Sequence, residues 1–423
     1  MKKNVLGMEI NMRKKLAVLL LSGLILVTGL CGCQSTKQNE GNINNVENTV
    51  TPEEGPMENT ATPEPTATPE PTATPTPALT IADISSMDLV ADMKIGWNLG
   101  NTLDATGGIG IMSETSWGNP KTKQEMIDKI LEAGFNVIRI PVTWDGHFGA
   151  APDYKIHDIW LQRVKEVVDY AYNKGAYVIL NTHHEEWYMP TEENKEANGA
   201  QIAALWTQIA EYFKDYDEHL IFEGLNEPRL RGTSKEWTGD KTASEVINYW
   251  EQLFVDAVRS TGGNNTLRHL MITGYAASSS KDNLAKIVLP EDDKLIVSVH
   301  AYTPYNFALN VNGTSTWDEK KDKGDIDYLM KAINELFISQ GVPAIIGEFG
   351  AMNKENEAER VEWVTYYLTK AKEIGVPCVW WDNNAFNGNG ENFGLLDRRN
   401  LEYPYPELLD AIMKVANPEV VVE

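Results

Sequence analysis

From residue 79 to about residue 417 the chain alternates short apolar runs with longer stretches whose apolar residues recur every three or four positions. Short runs of mostly β-branched and aliphatic residues, bounded by polar or turn-forming positions, read as buried strands. Eight qualify, at 93–98, 136–140, 177–181, 220–226, 269–274, 295–300, 344–348 and 377–381. The longer stretches read as amphipathic helices. Ile202, Leu205, Trp206, Ile209 and Phe213 mark one apolar stripe at helical spacing,. Comparable stripes are centred on 123–133, 157–174, 243–259, 326–339, 356–373 and 406–415. The link between the fifth and sixth runs is weakest, with only 283–287 suggesting a short helix. Eight strand-then-helix units predict a parallel sheet, and eight such units can close into an α/β (β/α)8 TIM barrel forming one domain over 79–423,. An open doubly wound sheet is the rival, but no glycine-rich phosphate loop follows the first strand.

The first 78 residues break this pattern. Arg13, Lys14 and Lys15 precede an apolar run over 16–30, too short to span a bilayer and right for a signal-peptide core,. Leu30-Cys31-Gly32-Cys33 ends the run and resembles the lipobox of bacterial lipoproteins, with Cys33 as the lipidated residue. Ordinary secretion with a small-residue cleavage site is the alternative. Glu9 ahead of the basic cluster is unusual for a signal and leaves Met12 as a second possible start. Residues 1–32 are therefore read as a signal peptide. Residues 33–78 are dominated by Asn, Glu, Thr and Pro, with Ala61-Thr62-Pro63-Glu64-Pro65-Thr66 repeated at 67–72 and partly at 73–77. So few apolar residues cannot make a core, and the proline content predicts an extended, disordered spacer. The chain is then expected outside the cell, either lipid-anchored at the surface or secreted, with the anchor its only membrane contact.

Charge narrows the function further. The formal net charge is −24, and removing residues 1–32 takes away five positive charges and one negative, leaving −28. Such an acidic surface excludes a general nucleic-acid binder, because phosphate contacts need Lys and Arg. Three cysteines cannot form a dense disulfide framework, Cys378 reads as a buried small hydrophobe, and no Cys/His cluster has zinc spacing,. The 12 Trp and 16 Tyr fit either core packing or stacking on a ligand,.

In a TIM barrel the chemistry sits at the C-terminal ends of the strands. Those ends carry Asn98, Asn101 and Asp104; Arg139; His183, His184, Glu185 and Glu186; Asn226 and Glu227; His300 and Tyr302; Glu348; and Trp380, Trp381, Asp382 and Asn383. Each alone has a structural explanation, but convergence from seven strands on one rim makes a site. Glu227 and Glu348 each close an apolar run, where an unpaired carboxylate is costly. Strands four and seven face each other across a barrel, and two opposed carboxylates are what glycoside hydrolysis needs. Glu223 lies four residues before Glu227, lower on the same strand, and reads as a structural, salt-bridged carboxylate,. Adjacent histidines invite a zinc reading of His183, His184 and His300.

Several segments resemble glycoside hydrolase family 5. They are Gly96-Trp97-Asn98-Leu99-Gly100-Asn101-Thr102-Leu103-Asp104, Ile138-Arg139-Ile140-Pro141, Asn226-Glu227-Pro228, His300-Ala301-Tyr302, Gly347-Glu348-Phe349-Gly350 and Trp380-Trp381-Asp382-Asn383. The first of these and His183-His184-Glu185 resemble the family's bacterial endo-β-1,4-glucanases. The resemblance implies a (β/α)8 barrel and a retaining endoglucanase, or cellulase, acting on β-glucan polysaccharides. It makes Glu227 the acid/base and Glu348 the nucleophile, the neighbouring charge of Glu348 helping to keep Glu227 protonated. Arg139 and the Tyr302 hydroxyl would favour the charged nucleophile. Asn226 would hold the sugar 2-hydroxyl, and Trp381 would floor the cleaved sugar. His183, His184 and His300 would hydrogen-bond the sugar and the acid/base, with no metal and no cofactor. Asn101 and Asp104 would contact sugars further out, and Trp117, Trp144, Trp187, Trp237 and Trp317 are candidates for an extended cleft. A monomer is expected. Xyloglucanase, mixed-linkage glucanase and mannanase share the mechanism and remain alternatives. A carbohydrate-binding surface lipoprotein on an inactive barrel is the non-enzymatic one.

Overall fold

The computed structural model describes residues 80–418, so the signal, the spacer and Cys33 lie outside the described residues. Eight parallel strands close a barrel in sequence order. They are β1 (Gly96–Leu99), β2 (Val137–Ile140), β3 (Tyr177–Asn181), β4 (Leu220–Glu223), β5 (Leu270–Ser278), β6 (Leu295–His300), β7 (Ala344–Phe349) and β8 (Cys378–Asp382). Closure pairs Gly96 with Val379 and Asn98 with Trp381. All eight predicted strands are present. The fourth stops at Glu223 rather than 226, which frees the following residues from strict alternation. The fifth runs on to Ser278.

The helices are α1 (Ser86–Asp92), α2 (Gln124–Glu132), α3 (Asp158–Tyr172), α4 (Lys195–Tyr212), α5 (Lys241–Ser260), α6 (Lys281–Leu284), α7 (Tyr305–Ala308), α8 (Glu319–Leu336), α9 (Glu357–Glu373) and α10 (Pro406–Ala416). The periodicity missed α1, whose seven residues are too few to show a repeat; Ser85 caps it by accepting from the Asp88 N–H,. Helix α8 starts nearly two turns earlier than the stripe suggests because its first residues, Glu319 to Asp325, are mostly charged,.

Strand alternation sorts the barrel into layers. Outward residues such as Ile138, Val178, Phe222 and Val297 join the core beneath the helices. Inward residues at the lower level, among them Val137, Ile179, Ile221, Met271, Ile345 and Val379, form a second apolar cluster, which Leu89 and Val90 of α1 join. One step up the strands the inward positions turn polar, with Asn98, Arg139, Asn181, Glu223 and Ser298 all buried. The apolar plug below keeps water out of that polar layer, so its groups must satisfy one another.

Candidate active site

Arg139 is the hub of the polar layer and has no exposed surface. Its Nε donates to Glu223 at 2.7 Å, and Nη1 donates to Asn98 at 2.9 Å and to Glu348 Oε1 at 2.8 Å. Its Nη2 donates to Asn226 at 2.8 Å. Glu223 also accepts from Asn181 at 3.1 Å and Ser298 at 2.6 Å, the paired, structural carboxylate expected of it. One guanidinium thus ties strands β1, β2, β4 and β7 together at the level where the site begins.

Glu348 reaches this guanidinium through an irregularity in β7. The register between β6 and β7 shifts after Val299–Ile346, so that His300 pairs with Glu348 and Gly347 is the extra residue,. A Cβ on Gly347 would lie 2.8 Å from Ser298 Oγ, which would have to shift from its hydrogen bond to Glu223 to admit it. The second carboxylate oxygen of Glu348 accepts from the Tyr302 hydroxyl at 2.9 Å. A permanent cation and a phenol therefore hold it.

Asn226 and Glu227 follow the end of β4, where both can face the site. His300 Nδ1 lies 2.8 Å from Glu227 Oε1, and Arg229 Nη1 donates to Glu227 Oε2 at 3.3 Å. Burial pushes the Glu227 pKa up, but His300, Arg229 and His184 outweigh it and leave it below the ordinary value. His300 moves the other way. Burial opposes its charge, but Glu348 and Glu227 win and raise its pKa. This corrects the expectation that Glu348 keeps Glu227 protonated. The charge of Glu348 acts most directly on His300, whose Nδ1 lies 3.6 Å from Glu348 Oε2, and His300 and Glu227 titrate as a pair,.

An oxygen of Glu227 and one of Glu348 lie within 4.8 Å of each other. Inverting enzymes keep their carboxyls roughly 6.5–9.5 Å apart to admit a water, and retaining ones about 5–5.5 Å. An oxygen pair this close fits the second geometry better than the first,.

The two glutamates open into a cleft of about 1060 Å³ that also takes in His183, His184, Tyr302 and Trp381. The Trp381 ring lies parallel to the His183 ring, with centroids 5.8 Å apart and planes at 3°. His183 is pinned between Asn181 at 3.1 Å and Asn226 at 3.5 Å and is held neutral, mainly by burial. The three histidines do not form one ligand set: His183 and His184 lie with Asp104, whereas His300 lies between the glutamates.

Asp104 has no exposed surface, and its oxygens accept from the Asn101 and Thr102 N–H groups at 3.0 and 2.6 Å. It therefore shapes the β1 loop from below and does not itself meet a sugar, contrary to the contact expected of it. Asn101, at φ 58°, sits half-buried on top of that loop. Trp144 and Trp317 are core residues, and Trp187 is half-buried with its Nε1 on Glu185 at 2.9 Å. Trp117 is exposed and its ring lies 5.4 Å from His184. Trp237 is exposed and lines the cleft. Sequence reasoning missed Arg229 and Glu391 as cleft residues. Arg229 follows Asn226-Glu227-Pro228 directly, a proximity that was available as a signal; Glu391 stands in an Asn/Gly-rich loop with none.

Residues 104–387 match the family described as Cellulase (glycosyl hydrolase family 5). The chain belongs to glycosyl hydrolase family 5. Among its relatives, Endoglucanase B of Ruminococcus albus is 55% identical over 338 residues, covering 79% of this chain and 82% of that one. A GH5-4 broad-specificity endoglucanase from Ruminococcus champanellensis, solved with bound cellotriose, superposes with a TM-score of 0.78 at 49% identity, covering 79% of this chain and all of that one. A xyloglucan-specific family 5 endo-β-1,4-glucanase from a metagenomic library, also with cellotriose, gives 0.76 at 46%, covering 78% and 98%.

Proposed function

We propose that this family 5 chain is a retaining endo-1,4-β-glucanase that cleaves internal bonds of cellulose and related β-glucans by double displacement. The observation that carries the reading is the pair Glu227 and Glu348, with oxygens within 4.8 Å across a cleft and each with its own set of donors. Glu348, ion-paired with Arg139 at 2.8 Å, attacks the anomeric carbon as nucleophile. The proton shared by His300 and Glu227 passes through Glu227 to the departing glycosidic oxygen, so that the C–O bond breaks without releasing an alkoxide. In the second half Glu227 takes a proton from water, the water oxygen attacks the anomeric carbon, and Glu348 leaves. Asn226, oriented by Arg139 and His183, holds the 2-hydroxyl, and Trp381 presents a ring face to the sugar in the cleaved position.

The cellotriose complexes of two relatives support β-glucan as the ligand class. Residues 1–32 direct export, Cys33 carries a lipid, and residues 33–78 hold a monomeric barrel away from the cell envelope. A panel of carboxymethylcellulose, barley β-glucan, xyloglucan and glucomannan tests the reading. Rapid loss of viscosity per reducing end on the first two supports it. Cleavage of glucomannan alone, or of none, refutes it. Radiolabelled palmitate incorporated into the parent but not into Cys33→Ser tests the anchor.

A further inference from the structure

Glu227 has two oxygens, and in this structure both are engaged by donors. The mechanism explains the His300 side. It assigns nothing to Arg229. Its Nη1 spans Glu227 Oε2 at 3.3 Å and the Glu227 carbonyl at 3.2 Å, while its Nε donates to Glu236 at 3.3 Å. Its guanidinium carbon lies 4.7 Å over the Trp237 ring. Glu236 is itself fixed, accepting from the Gly232 N–H at 2.9 Å. The loop under all of this is clamped to β5: the Ala276 N–H donates to the Pro228 carbonyl at 2.9 Å, and the Tyr275 hydroxyl accepts from the Leu230 N–H at 2.9 Å. Arg229 is thus held through Nη1, through Nε and against the Trp237 ring, and its charge is directed at the acid/base before any substrate arrives.

We infer that Arg229 is a positioning residue that orients Glu227 and biases it toward its base role in the second half of the reaction. Its permanent charge opposes the protonated acid needed in the first half and favours the carboxylate needed in the second. Other charges face Glu227 as well. His300 on β6 holds the other oxygen. His184 on the β3 loop, Arg231 beyond Arg229, Glu348 on β7 and Glu391 on the β8 loop act through space. The Tyr302 hydroxyl also lies within their field. Among the described residues only His300 and Arg229 are in hydrogen-bond contact with the Glu227 carboxylate, and of those two only Arg229 is a guanidinium,.

The inference rests on Glu227 being the acid/base, and the test separates the two. Arg229→Met and Arg229→Gln remove the charge with different losses of packing, and Arg229→Lys restores it. On soluble β-glucan, where the acid is needed, the alkaline limb of kcat/KM reports loss of the proton shared by Glu227 and His300. Without Arg229 that proton is held more tightly, and the limb is expected to rise by roughly half a pH unit, the scale for a partly exposed pair. Lysine should return it toward the parent. On a dinitrophenyl cellobioside the first step needs no acid, so kcat/KM should stay within about twofold while kcat, limited by the base step, falls several-fold. Two outcomes overturn the inference. One is an unmoved limb in both neutral variants. The other is an equal fall of kcat and kcat/KM on the aryl substrate, which would make Arg229 only a brace for its loop. If the parent itself fails to turn over the aryl cellobioside and the glucan, it is the proposed function that fails.

Discussion

Replacing Arg139 by Met should destabilise the barrel by an amount that Glu223 largely sets. The pair is 2.7 Å apart with no exposure on either side chain. Removing one partner of a buried pair costs about 3–5 kcal/mol, because the other charge is left without compensation. Arg139→Met also strips one donor each from Glu348, Asn98 and Asn226, but Glu348 keeps the Tyr302 hydroxyl with His300 beside it, and the two asparagines are neutral. The main loss is therefore the stranded Glu223 carboxylate. With roughly 2.1 cal/mol/K of unfolding entropy per residue over about 340 residues, 4 kcal/mol corresponds to a fall in Tm of about 6 °C. Glu223→Gln in the Arg139→Met background removes the stranded charge, and its amide oxygen can accept from Asn181 while its NH2 group donates to the Ser298 hydroxyl,. The double variant should then be more stable than Arg139→Met alone, with a coupling of about 2 kcal/mol or more in a double-mutant cycle. Equilibrium denaturation midpoints and calorimetric Tm values of the four proteins are the assay. Additive losses, or a single-variant loss below about 1 kcal/mol, would mean that water or neighbouring dipoles carry these charges and that the pair is not the hub described above.

Azide assigns the two glutamates: with an activated aryl cellobioside Glu227→Gln should yield the β-glycosyl azide and Glu348→Gly the α-azide, read by NMR, and the opposite products would exchange the roles. Burial lifts the Glu185 pKa to about 8, so the folded chain keeps a proton that the unfolded chain has already lost above its ordinary value of 4.5,. Stability from this group therefore falls as pH rises from about 4.5 to 8, and Glu185→Gln should gain on the parent by about 1.4 kcal/mol per pH unit between pH 6 and 8, a gain that denaturation midpoints at the two pH values would detect. A chain beginning at Pro77 should keep full activity on soluble glucan, and loss of most activity would show that the preceding segment is needed by the barrel.

The strands were legible because parallel strands buried on both faces read as continuous apolar runs, and Ile179, Ile221 and Ile345 inside with Val178, Phe222 and Ile346 outside leave no polar break,. The two glutamates were legible because each interrupts such a run. The ends of the strands were less so. Glu348 depends on the extra residue Gly347, and no local pattern announces a bulge there. The role of Asp104 was misread because a carboxylate at a strand end looks the same in sequence whether it faces solvent or accepts from N–H groups two and three residues before it. The pairing of His300 with Glu227 joins residues 73 apart on β6 and the end of β4, a contact that follows from closure of the barrel and from nothing local. Arg229 stands two residues from Glu227 in the sequence, but only the loop path between Pro228 and Trp237 turns its guanidinium back on that carboxylate.

The cations given to the two carboxylates differ in kind, and the difference matches what each must do. Glu348 has to be ionised when substrate arrives and again when the intermediate breaks down. Its cation is a guanidinium in the barrel wall with no exposed surface, which cannot titrate and does not move with any loop. Glu227 has to alternate between acid and base in every cycle. Its nearest cation is an imidazole, which can give up its proton, and the guanidinium beside it makes a longer contact from a loop at the cleft edge. Had the two been exchanged, with a wall guanidinium on Glu227 and an imidazole on Glu348, the acid would have been locked as a carboxylate and the nucleophile left free to protonate. The same two glutamates at the same separation would then be poorly suited to either half of the reaction. The neighbours, more than the carboxylates themselves, therefore decide which is acid and which is nucleophile, and those neighbours come from β2 for one and from β6 and the β4 loop for the other.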